Sequence, residues 1–420
     1  MGIIKDIYIN IPQEVLHILK KLNQAGYEAY IVGGCVRDSV IGRIPHDWDI
    51  CTSAMPEDII KVFNNHKIIP TGIKHGTVTV VLDKGQYEIT TFRIDGEYEN
   101  NRHPKNVKFT KCLKEDLKRR DFTINALAYN PDEGLIDYFG GLRDIKRRVI
   151  RCVGNADKRF HEDALRVLRA IRFSSNLDFK IYYKTFFGIL SNKKLLKNIS
   201  VERINSETIK ILQSKNLKTI NAALLFSCLL NILYELNYIN NKWEIIKFVS
   251  SDLFLEMNNS ENIYLIRLSM LFESLNTNQI YKLLRKLRFD NNTINSVVKI
   301  VKYGNVIMSE VNKNDKYLIR KSISDIGYYL TNKTIEYAYI HNRQIYVHLF
   351  SVFKSEYKKC NSIRQMKLNG DDLIKIGFNG KEIGNCLNYL LDNILTDRIE
   401  NDYEILYNEA IRYKERKCYV

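Results

Sequence analysis

The chain has 420 residues, of which 45% are hydrophobic and 27% are charged. These proportions are typical of a folded globular protein and exclude a largely disordered chain, and the length suffices for about two to four domains. The formal net charge of +16 favours a polyanionic partner, nucleic acid before an anionic membrane surface. An AT-rich genome, which enriches Lys, Ile, Asn and Tyr, accounts for a substantial share of this excess.

The sequence shows neither an N-terminal basic and then apolar segment nor a run of about 18 apolar residues, so we expect no signal peptide and no transmembrane helix. The eight cysteines are scattered, without a Cys-x-x-Cys pair or an accompanying histidine cluster. This pattern argues against a zinc site and against a disulfide framework. It predicts reduced thiols and a cytoplasmic location.

In chain order, the first predicted element is a helix over residues 13–24. Residues 30–32 then form a predicted strand that ends at Gly33-Gly34 and is followed by a short helix. Glycines allow a tight turn and a close approach of the backbone to a ligand, and a helix N-terminus favours an anion. Together with the guanidinium of Arg37, this stretch predicts a phosphate-binding turn.

The next predicted strand carries an acidic pair, Asp47 and Asp49, separated by Trp48. Side chains alternate between the two faces of a strand, so both carboxylates would share one face about 7 Å apart. Carboxylates beside a phosphate-binding turn are the ligands expected for Mg²⁺ bound with a nucleoside triphosphate. Asp47 and Asp49 are therefore the predicted metal-binding and catalytic residues.

A helix over residues 55–63 is predicted next, and then a hairpin whose strands cover 77–82 and 86–92. Glu88 lies on the second strand of this hairpin. If that strand lies beside the one that carries the acidic pair, Glu88 becomes a third catalytic carboxylate. The alternative is an ordinary surface glutamate on an edge strand, and we favour the catalytic interpretation.

Residues 95–107 are polar, contain a glycine and a proline and lack periodicity, which predicts a flexible loop. The segment lies between the predicted hairpin and the next helix, in a position suited to a lid over an active site. It contains Asp95, Arg102 and His103, of which Arg102 and His103 are candidates for contact with a phosphate or a base. A solvated loop without a function is an equal alternative.

Residues 113–129 open as a basic helix or helix–turn in which Arg119, Arg120 and Asp121 are adjacent. One interpretation is that Asp121 binds a ribose hydroxyl while an arginine binds a triphosphate. The alternative is a solvated charged face with local salt bridges.

Residues 156–177 predict a strongly amphipathic helix. Asp163 and Arg166 would project from one face of it as an ion pair, which without context is a plain helix salt bridge. Beside a nucleotide site the pair has a sharper meaning. Cytosine and adenine present an exocyclic amine beside an unprotonated ring nitrogen, which match a carboxylate acceptor and a guanidinium donor, whereas uracil and guanine present the reverse pattern.

Almost every later segment predicts helix, and all six prolines fall in the first third of the chain. The predicted helices cover 187–195, 201–212, 219–230, 263–272, 279–287 and 293–301. We therefore expect an α+β head of about 140 residues and a long helical remainder. Lys, Arg and Tyr in this remainder suit the backbone and exposed bases of RNA, although tyrosines are also common core residues.

Five stretches resemble, in order and spacing, the successive motifs of the class II tRNA nucleotidyltransferases, the CCA-adding enzymes, whose architecture bacterial poly(A) polymerases share. They are VGGCVRD, HDWDICT, DGEYENNRHPKNVKF, RRDFTINALAY and EDALR. A weaker similarity covers residues 368–410. The resemblance implies a polymerase-β-like nucleotidyltransferase head (1–138), followed by an all-α neck for base recognition (139–205), a helical body (206–300) and a helical tail that binds tRNA (301–420).

The resemblance also implies an activity, the Mg²⁺-dependent addition of C, C and A from CTP and ATP to the 3′ end of tRNA without a nucleic-acid template. It assigns the metal ions to Asp47 and Asp49 and a third acidic position to Glu88. It makes 95–107 the loop needed for the step from C to A addition. Nucleotide binding falls to Gly33, Gly34, Arg37, Arg120, Asp121, Asn125, Asp163, Arg166 and Arg169, of which Asp163 and Arg166 would read the base.

Several alternatives stay open. A poly(A) polymerase shares the head and neck and extends RNA with ATP alone, and CC-adding or A-adding enzymes perform part of the reaction. The loop with Arg102 argues against a CC-only enzyme, and the EDALR stretch argues against an A-only enzyme. An RNA-binding module with an inactive head would lack one member of the acidic pair, and both are present. The sequence leaves the oligomeric state, monomer or homodimer, undecided.

Overall fold

The structure is a computed structural model that describes residues 2–96, 98–99, 101, 103–104, 106–235, 263–273, 275–311, 315–341 and 343–418. The chain forms two compact units, residues 1–243 and 244–420. The finer boundaries expected at 138, 205 and 300 stay predictions. In the described part of the chain, no helix is both long enough and apolar enough to span a membrane.

The first unit begins with the mixed head. Its strands are β1 (Ile3–Ile4), β2 (Ala29–Val32), β3 (Ile50–Thr52), β4 (Lys67–Ile69), β5 (Thr77–Leu82), β6 (Gly85–Thr91), β7 (Arg93–Asp95), β8 (Tyr98–Glu99), β9 (His103–Pro104), β10 (Val107–Phe109), β11 (Leu127–Asn130) and β12 (Gly134–Asp137). Its helices are α1 (Gln13–Gln24), α2 (Gly34–Val40), α3 (Pro56–Val62), α4 (Leu113–Lys118) and α5 (Gly141–Lys146).

The main sheet of the head has eight strands in the order β1-β12-β11-β2-β3-β6-β5-β4. Neighbours pair antiparallel, except that β3 and β6 run parallel with Ile50 opposite Ile89. All four residues of β2 are buried, as expected for a central strand. The predicted order of helix, strand, glycine turn, helix and hairpin is confirmed.

The acidic pair departs from the predicted strand. Asp47 and Asp49 lie in the irregular segment before β3, which begins only at Ile50. The predicted alternation of faces therefore does not determine where the two carboxylates lie. The strand starts after the acidic residues, although the backbone carbonyl of Asp49 accepts a hydrogen bond from the N–H of Val32 on β2 at 3.0 Å.

The loop predicted for residues 95–107 is wrong for the described part of the segment, which forms a narrow ribbon. β7 pairs antiparallel with β10, so that Asp95 lies opposite Val107, and β8 pairs antiparallel with β9. These strands pair only with each other and not with the main sheet. A ribbon without a face in the core has no need of alternating apolar residues, and its sequence therefore lacks the strand signal.

The single helix predicted over 156–177 is also wrong, because α6 (Ala156–Glu162) and α7 (Arg166–Leu177) are separate helices. Asp163 between them has an extended conformation (φ −135°, ψ 104°), and its carboxylate accepts a hydrogen bond from the backbone N–H of Leu165 at 3.1 Å. Such a local bond competes with helix continuation. The N–H of Ala164 donates to the carbonyl of Asn101 in the ribbon at 3.0 Å, instead of to a helical carbonyl.

The other described residues of the first unit are mainly helical apart from a short parallel pair, β13 (Val149–Ile150) with β14 (Lys180–Ile181). Its helices are α8 (Tyr183–Asn192), α9 (Val201–Leu212) and α10 (Thr219–Glu235). The buried face of α7, which includes Val167, Leu168 and Ile171, forms part of the core. The predicted helical remainder is therefore confirmed here.

The second unit is helical throughout its described residues. Its helices are α11 (Ile263–Leu271), α12 (Thr277–Lys286), α13 (Asn291–Glu310), α14 (Asp315–His341), α15 (Arg343–Glu356), α16 (Gly370–Lys375), α17 (Lys381–Leu395) and α18 (Tyr403–Cys418). Helix α14 is broken at Gly327, which has a φ of +83°. The buried Arg320 on α14 binds Glu356 at 2.5 Å and Asp397 at 2.6 Å and so joins three segments of this unit.

Candidate active site

Residues from distant parts of the first unit meet at a cleft of about 670 Å³. All nine of the predicted nucleotide-binding residues line it. The lining comprises Gly33, Gly34, Arg37, Asp49, His75, Arg93, Asp95, Arg119, Arg120, Asp121, Asn125, Asp163, Leu165, Arg166, Arg169, Phe173 and Arg203. Seven arginines stand against four aspartates, so the cleft has a positive balance that suits a polyphosphate.

The glycine turn lies on one wall of this cleft. Gly33 has a φ of +84° immediately before α2, a conformation that favours glycine. A Cβ at this position would lie 3.0 Å from the Nη1 atom of Arg120. The missing side chain therefore lets the guanidinium of Arg120 approach the backbone of the turn closely, and the turn and the arginine present their polar groups together.

A chain of hydrogen bonds connects Arg37 to the opposite wall. Arg37 Nη1 donates to Asn125 Oδ1 at 2.7 Å, and Asn125 Nδ2 donates to Asp121 Oδ1 at 3.1 Å. The other oxygen of Asp121 accepts from both Nε and Nη2 of Arg169, at 2.8 and 2.6 Å. The structure therefore brings these four predicted residues into one network.

Asp121 is held as a carboxylate. Burial by itself would raise its pKa, but the charge of Arg169 and the hydrogen bonds from Asn125 and Arg169 outweigh burial and lower the pKa of Asp121 to about 2. Asp116, which is fully buried, likewise has a lowered pKa because Arg119 and Arg120 outweigh its burial. Buried carboxylates thus position three of the arginines of the cleft.

The two members of the acidic pair lie differently. Both side chains are exposed, but only Asp49 lines the cleft, whose walls partly desolvate its carboxyl group. Enclosure raises the pKa of Asp49, Arg120 opposes this increase, and the negative charge of Asp47 adds to it. The carboxylate repulsion between Asp47 and Asp49 is one that a divalent cation would relieve.

Glu88 is on β6, where Thr79 of β5 lies opposite it. Because Ile50 and Ile89 are paired across β3 and β6, Glu88 is level with Asp49, the residue immediately before β3. The strand that carries Glu88 therefore lies beside the one that follows the acidic pair. However, Glu88 is exposed and does not line the cleft, and no cluster of three or more His, Cys, Asp or Glu suited to a metal occurs among the described residues. Its catalytic role stays a prediction.

Asp163 and Arg166 both line the cleft, but the ion pair expected between them is not formed. Asp163 lies 3.6 Å from Arg203, and Arg166 Nη1 lies 2.8 Å from Glu162 Oε2. The reason is the break between α6 and α7, which removes the helical spacing that an i,i+3 pair requires.

Arg166 is further fixed by backbone contacts. Its Nη1 donates to the carbonyl of Arg159 at 3.1 Å and its Nη2 to the carbonyl of Arg119 at 2.9 Å. Sequence reasoning missed Arg203 and Glu162 as partners. Glu162 stands beside Asp163 in the EDALR stretch and offered a local signal, whereas Arg203 on α9 offered none.

The first strand of the ribbon, β7, contributes a residue to the cleft. Asp95 lines the cleft and lies 3.2 Å from Arg93 and 3.8 Å from Arg119. Arg102 lies outside the described residues, as does the side chain of His103. Asn101 contacts the break between α6 and α7 through its carbonyl, as described above, and its Nδ2 donates to the carbonyl of His161 at 2.5 Å.

Phe173 is a cleft residue that the sequence analysis did not single out. Three guanidinium groups surround its ring, with Arg37, Arg169 and Arg172 at 5.1, 5.2 and 4.5 Å from the ring centroid. Cation–π attraction at such distances offsets part of the repulsion among like charges. The run of arginines at every third position, RVLRAIRF, was the signal available in the sequence.

Three family models match the chain. The "Poly A polymerase head domain" matches residues 29–151, the "Probable RNA and SrmB- binding site of polymerase A" matches 178–236, and the tRNA nucleotidyltransferase domain 2 matches 256–410. The head match confirms the expected polymerase head, and the matches together extend over both units.

Relatives and solved structures agree with these models. The CCA-adding enzyme of Ligilactobacillus salivarius is 40% identical over 97% of this chain and 99% of its own length. That of Lactobacillus delbrueckii subsp. bulgaricus is 54% identical over 48% of this chain and 51% of its own. The crystal structure of the Bacillus stearothermophilus CCA-adding enzyme in complex with CTP is 31% identical, has a TM-score of 0.77 and covers 97% of this chain and 99% of its own. The chain therefore belongs to the family of CCA-adding enzymes, which are nucleotidyltransferases.

Proposed function

We propose that this protein adds C, C and A to the 3′ end of tRNA from CTP and ATP without a nucleic-acid template. The observation that carries the proposal is one of geometry. The glycine turn, Asp49 and the two base-reading candidates, Asp163 and Arg166, line the same cleft. A triphosphate and its base therefore have candidate partners within a single site. The similarity to a relative bound to CTP supports this substrate class.

The triphosphate would bind at the glycine turn. Arg120 lies against Gly33 and Arg37 against Gly34, and their guanidinium groups are kept in position by Asp116 and Asn125. Positioned guanidinium donors bind phosphate oxygens in a defined geometry and neutralise their charge. Asp121 and Arg169 would contact the sugar or the phosphates from the opposite wall.

Asp47 and Asp49 would hold divalent cations, with Mg²⁺ as the proposed ion. Oxygen donors of this kind suit Mg²⁺, and the raised pKa of Asp49 beside Asp47 marks a place where added positive charge is favourable. When bound, the ions would activate the 3′-hydroxyl of the RNA and neutralise charge on the departing pyrophosphate. The contribution of the chain is to position the nucleotide and to exclude competing geometries.

Base selection would come from Asp163 and Arg166. Asp163 is held by the N–H of Leu165 and by Arg203, and Arg166 is held by Glu162 and two backbone carbonyls. Each group is thus oriented by its own partners before a base enters. A fixed carboxylate acceptor beside a fixed guanidinium donor matches the edges of C and A and opposes those of U and G.

The proposal extends to the other parts of the chain. We propose that residues 1–138 are the catalytic head, 139–205 the base-reading neck, 206–300 the body and 301–420 the tRNA-binding tail. We also propose a cytoplasmic location, which is supported by the free cysteines among the described residues.

The test is an extension assay with purified protein, Mg²⁺ and tRNA that lacks its 3′ CCA. CTP and ATP are supplied separately and together, and the products are sized at single-nucleotide resolution. We expect three added nucleotides only when both are present, and two with CTP alone. Long A tails would instead identify a poly(A) polymerase, and addition of only C or only A would identify a partial enzyme.

A further inference from the structure

A buried arginine that does not line the cleft, Arg159, lies close to the base-reading candidates. It is 8% exposed and is on α6, three residues before Glu162. No part of the nucleotide-binding proposal uses Arg159, and the three matched family models leave residues 152–177 uncovered. A guanidinium that is shielded from water needs hydrogen-bond partners, and its partners show what Arg159 holds in place.

The carboxylate of Glu162 joins Arg159 to Arg166. Its Oε1 lies 2.6 Å from Nη2 of Arg159, and its Oε2 lies 2.8 Å from Nη1 of Arg166. The side chains of Arg159, Glu162 and Arg166 are only 10%, 15% and 9% exposed. One carboxylate therefore separates two guanidinium groups and offsets the repulsion between them, in a place where charge-assisted hydrogen bonds are strong.

Both arginines also bind the C-terminal end of α4. Nη1 of Arg159 donates to the carbonyl of Lys118 at 3.1 Å, and Nη2 of Arg166 donates to the carbonyl of Arg119 at 2.9 Å. Lys118 is the last residue of α4, and Arg119 follows it. The last carbonyls of a helix lack partners within the helix and carry partial negative charge, which cations stabilise. The two guanidinium groups thus lie side by side against the end of α4.

These contacts fix the orientation of Arg166. Its Nη1 donates to Glu162 and to the carbonyl of Arg159, and its Nη2 donates to the carbonyl of Arg119. All donors of a guanidinium lie in one plane, so three acceptors at two of its nitrogens determine how the whole group is turned. Arg159 therefore holds Arg166 twice, directly through its backbone carbonyl and indirectly through Glu162.

The same end of α4 leads to the phosphate-binding side of the cleft. The carbonyl of Arg119 belongs to the peptide bond that joins Arg119 to Arg120, and Arg120 lies against the glycine turn at Gly33. Asp116 of α4 holds Arg120 through an ion pair of 3.4 Å. A single peptide bond therefore connects the residue that binds Arg166 to the arginine proposed to bind the triphosphate.

We propose that Arg159 is a positioning residue for base selection, which acts through Glu162 to hold Arg166 against the end of α4, in register with Arg120. This inference rests on the proposed function and deepens it, because it adds a determinant of base selection that does not line the cleft. A guanidinium that could turn would no longer be forced against the ring N–H of U or G. Discrimination would then fall even though every base-reading residue is retained.

The test is the ratio of kcat/KM for CTP to that for UTP, measured with the full chain, Mg²⁺ and tRNA that lacks its 3′ CCA. Arg159→Met keeps an unbranched side chain in the buried position but removes every side-chain donor. We expect the ratio to fall at least about tenfold, because an oriented hydrogen-bond donor of the cleft is loosened. A smaller fraction of folded protein would lower both values of kcat/KM equally and leave the ratio unchanged, so the ratio separates a positioning role from a structural one.

Arg151→Met is the matched control. Nε of Arg151 lies 2.9 Å from a carboxylate oxygen of the buried Asp144 in the same unit, but Arg151 does not line the cleft. Its removal breaks a comparable ion pair and should leave the ratio unchanged. An equal fall of the ratio in Arg151→Met and Arg159→Met would overturn the inference, because it would reflect a general loosening of the unit.

Arg159→Lys carries the test if circular dichroism shows that Arg159→Met is unfolded. Lysine keeps the charge, but one ammonium cannot reproduce the forked contact with Glu162 and the carbonyl of Lys118, so the ratio should fall by about threefold or more. An unchanged ratio in a folded Arg159 variant would overturn the inference.

Binding of inorganic tripolyphosphate with Mg²⁺, measured by titration calorimetry, isolates the phosphate-binding side. Arg37 and Arg120 have their own partners, which Arg159→Met retains. These partners are Asn125 and Asp116. The affinity for tripolyphosphate should therefore stay unchanged, and a loss as large as that for CTP would overturn the inference. Absence of incorporation by the unmodified protein would overturn the proposed function as well, whereas normal incorporation with an unchanged ratio in the variant would overturn the inference alone.

Discussion

Arg169 and Asp121 form a close ion pair in which two guanidinium nitrogens, Nε and Nη2, lie 2.8 and 2.6 Å from the same carboxylate oxygen. The second oxygen of Asp121 accepts hydrogen bonds from Asn125 and from the backbone N–H of Phe122, at 3.1 and 2.8 Å. The carboxylate of Asp121, which lies in the segment after α4, is therefore bonded both to α7 and to its own segment. It orients an arginine of the cleft while remaining ionised itself.

This pair predicts an acid-sensitive contribution to stability. The pKa of Asp121 in the folded protein is about 2, below its ordinary value of 3.8. The stabilisation is therefore fully present above about pH 4 and is lost as the pH falls towards 2, and it amounts to about 2 kcal/mol. Urea unfolding of the unmodified protein and of Asp121→Asn, from pH 6 to pH 3, should show a difference in free energy that shrinks with acidification.

The exposed residue Asp6 provides the control for that series. Asp6→Asn should unfold like the unmodified protein across the range. A difference between Asp121→Asn and the unmodified protein that stayed constant with pH would contradict the argument, because it would mean that the pKa of Asp121 is the same in the folded and unfolded states.

The acidic pair predicts a loss of chemistry without a loss of RNA binding. Asp47→Asn and Asp49→Asn keep the side-chain size, so the fold should survive while nucleotide incorporation falls at least about a hundredfold. Incorporation by the unmodified protein should stop with EDTA and return with excess Mg²⁺. Normal incorporation by either variant in single-turnover reactions would contradict the proposal that Asp47 and Asp49 bind the metal ions.

Glu88→Gln extends the same experiment. A loss comparable with that of Asp49→Asn would support a third catalytic carboxylate, as its register beside Asp49 suggests. Incorporation close to that of the unmodified protein would make Glu88 an ordinary surface residue of β6.

The separate partners of Asp163 and Arg166, the two residues proposed to read the base, predict which substitutions are coupled. Asp163 faces Arg203 and Arg166 faces Glu162, so Asp163→Asn and Arg203→Gln should be non-additive in their effect on selection against U and G. Asp163→Asn and Glu162→Gln should be closer to additive. The measurement is a double-mutant cycle on the ratio of kcat/KM for CTP to that for UTP, and stronger coupling of Asp163 with Glu162 than with Arg203 would contradict it.

Phe173 predicts a positioning effect on the triphosphate. Phe173→Leu keeps an apolar side chain but removes the ring around which Arg37, Arg169 and Arg172 gather. We expect KM for CTP and for ATP to rise together by about three- to tenfold with a smaller change in kcat, since cation–π contacts contribute about 0.5–2 kcal/mol. Phe173→Tyr keeps an aromatic ring and should have KM values for CTP and ATP close to those of the unmodified protein. A change in KM for only one of the two nucleotides would contradict a role in triphosphate binding.

Much of the fold could be predicted from the sequence because it depends on local signals. The helix at 13–24, the strand before Gly33 and the hairpin at 77–91 follow from apolar periodicity and turn residues, which act over a few positions. The five motifs likewise identified residues of the cleft, and Gly33, Arg37, Asp121 and Arg166 do meet there. The sequence identified Asp47 and Asp49 as the acidic pair, but the strand predicted to carry them begins only at Ile50.

The predictions that were wrong concern contacts between residues far apart in the chain. Helical spacing predicted a bond between Asp163 and Arg166, but a hydrogen bond from Ala164 to Asn101 of the ribbon helps to interrupt the helix, and Arg203 of α9 binds Asp163 instead. The sequence by itself determined which residue types were available and the local shape around each. Only the tertiary structure decided their partners, because an ion pair forms with the nearest opposite charge in space, and that charge came from another helix.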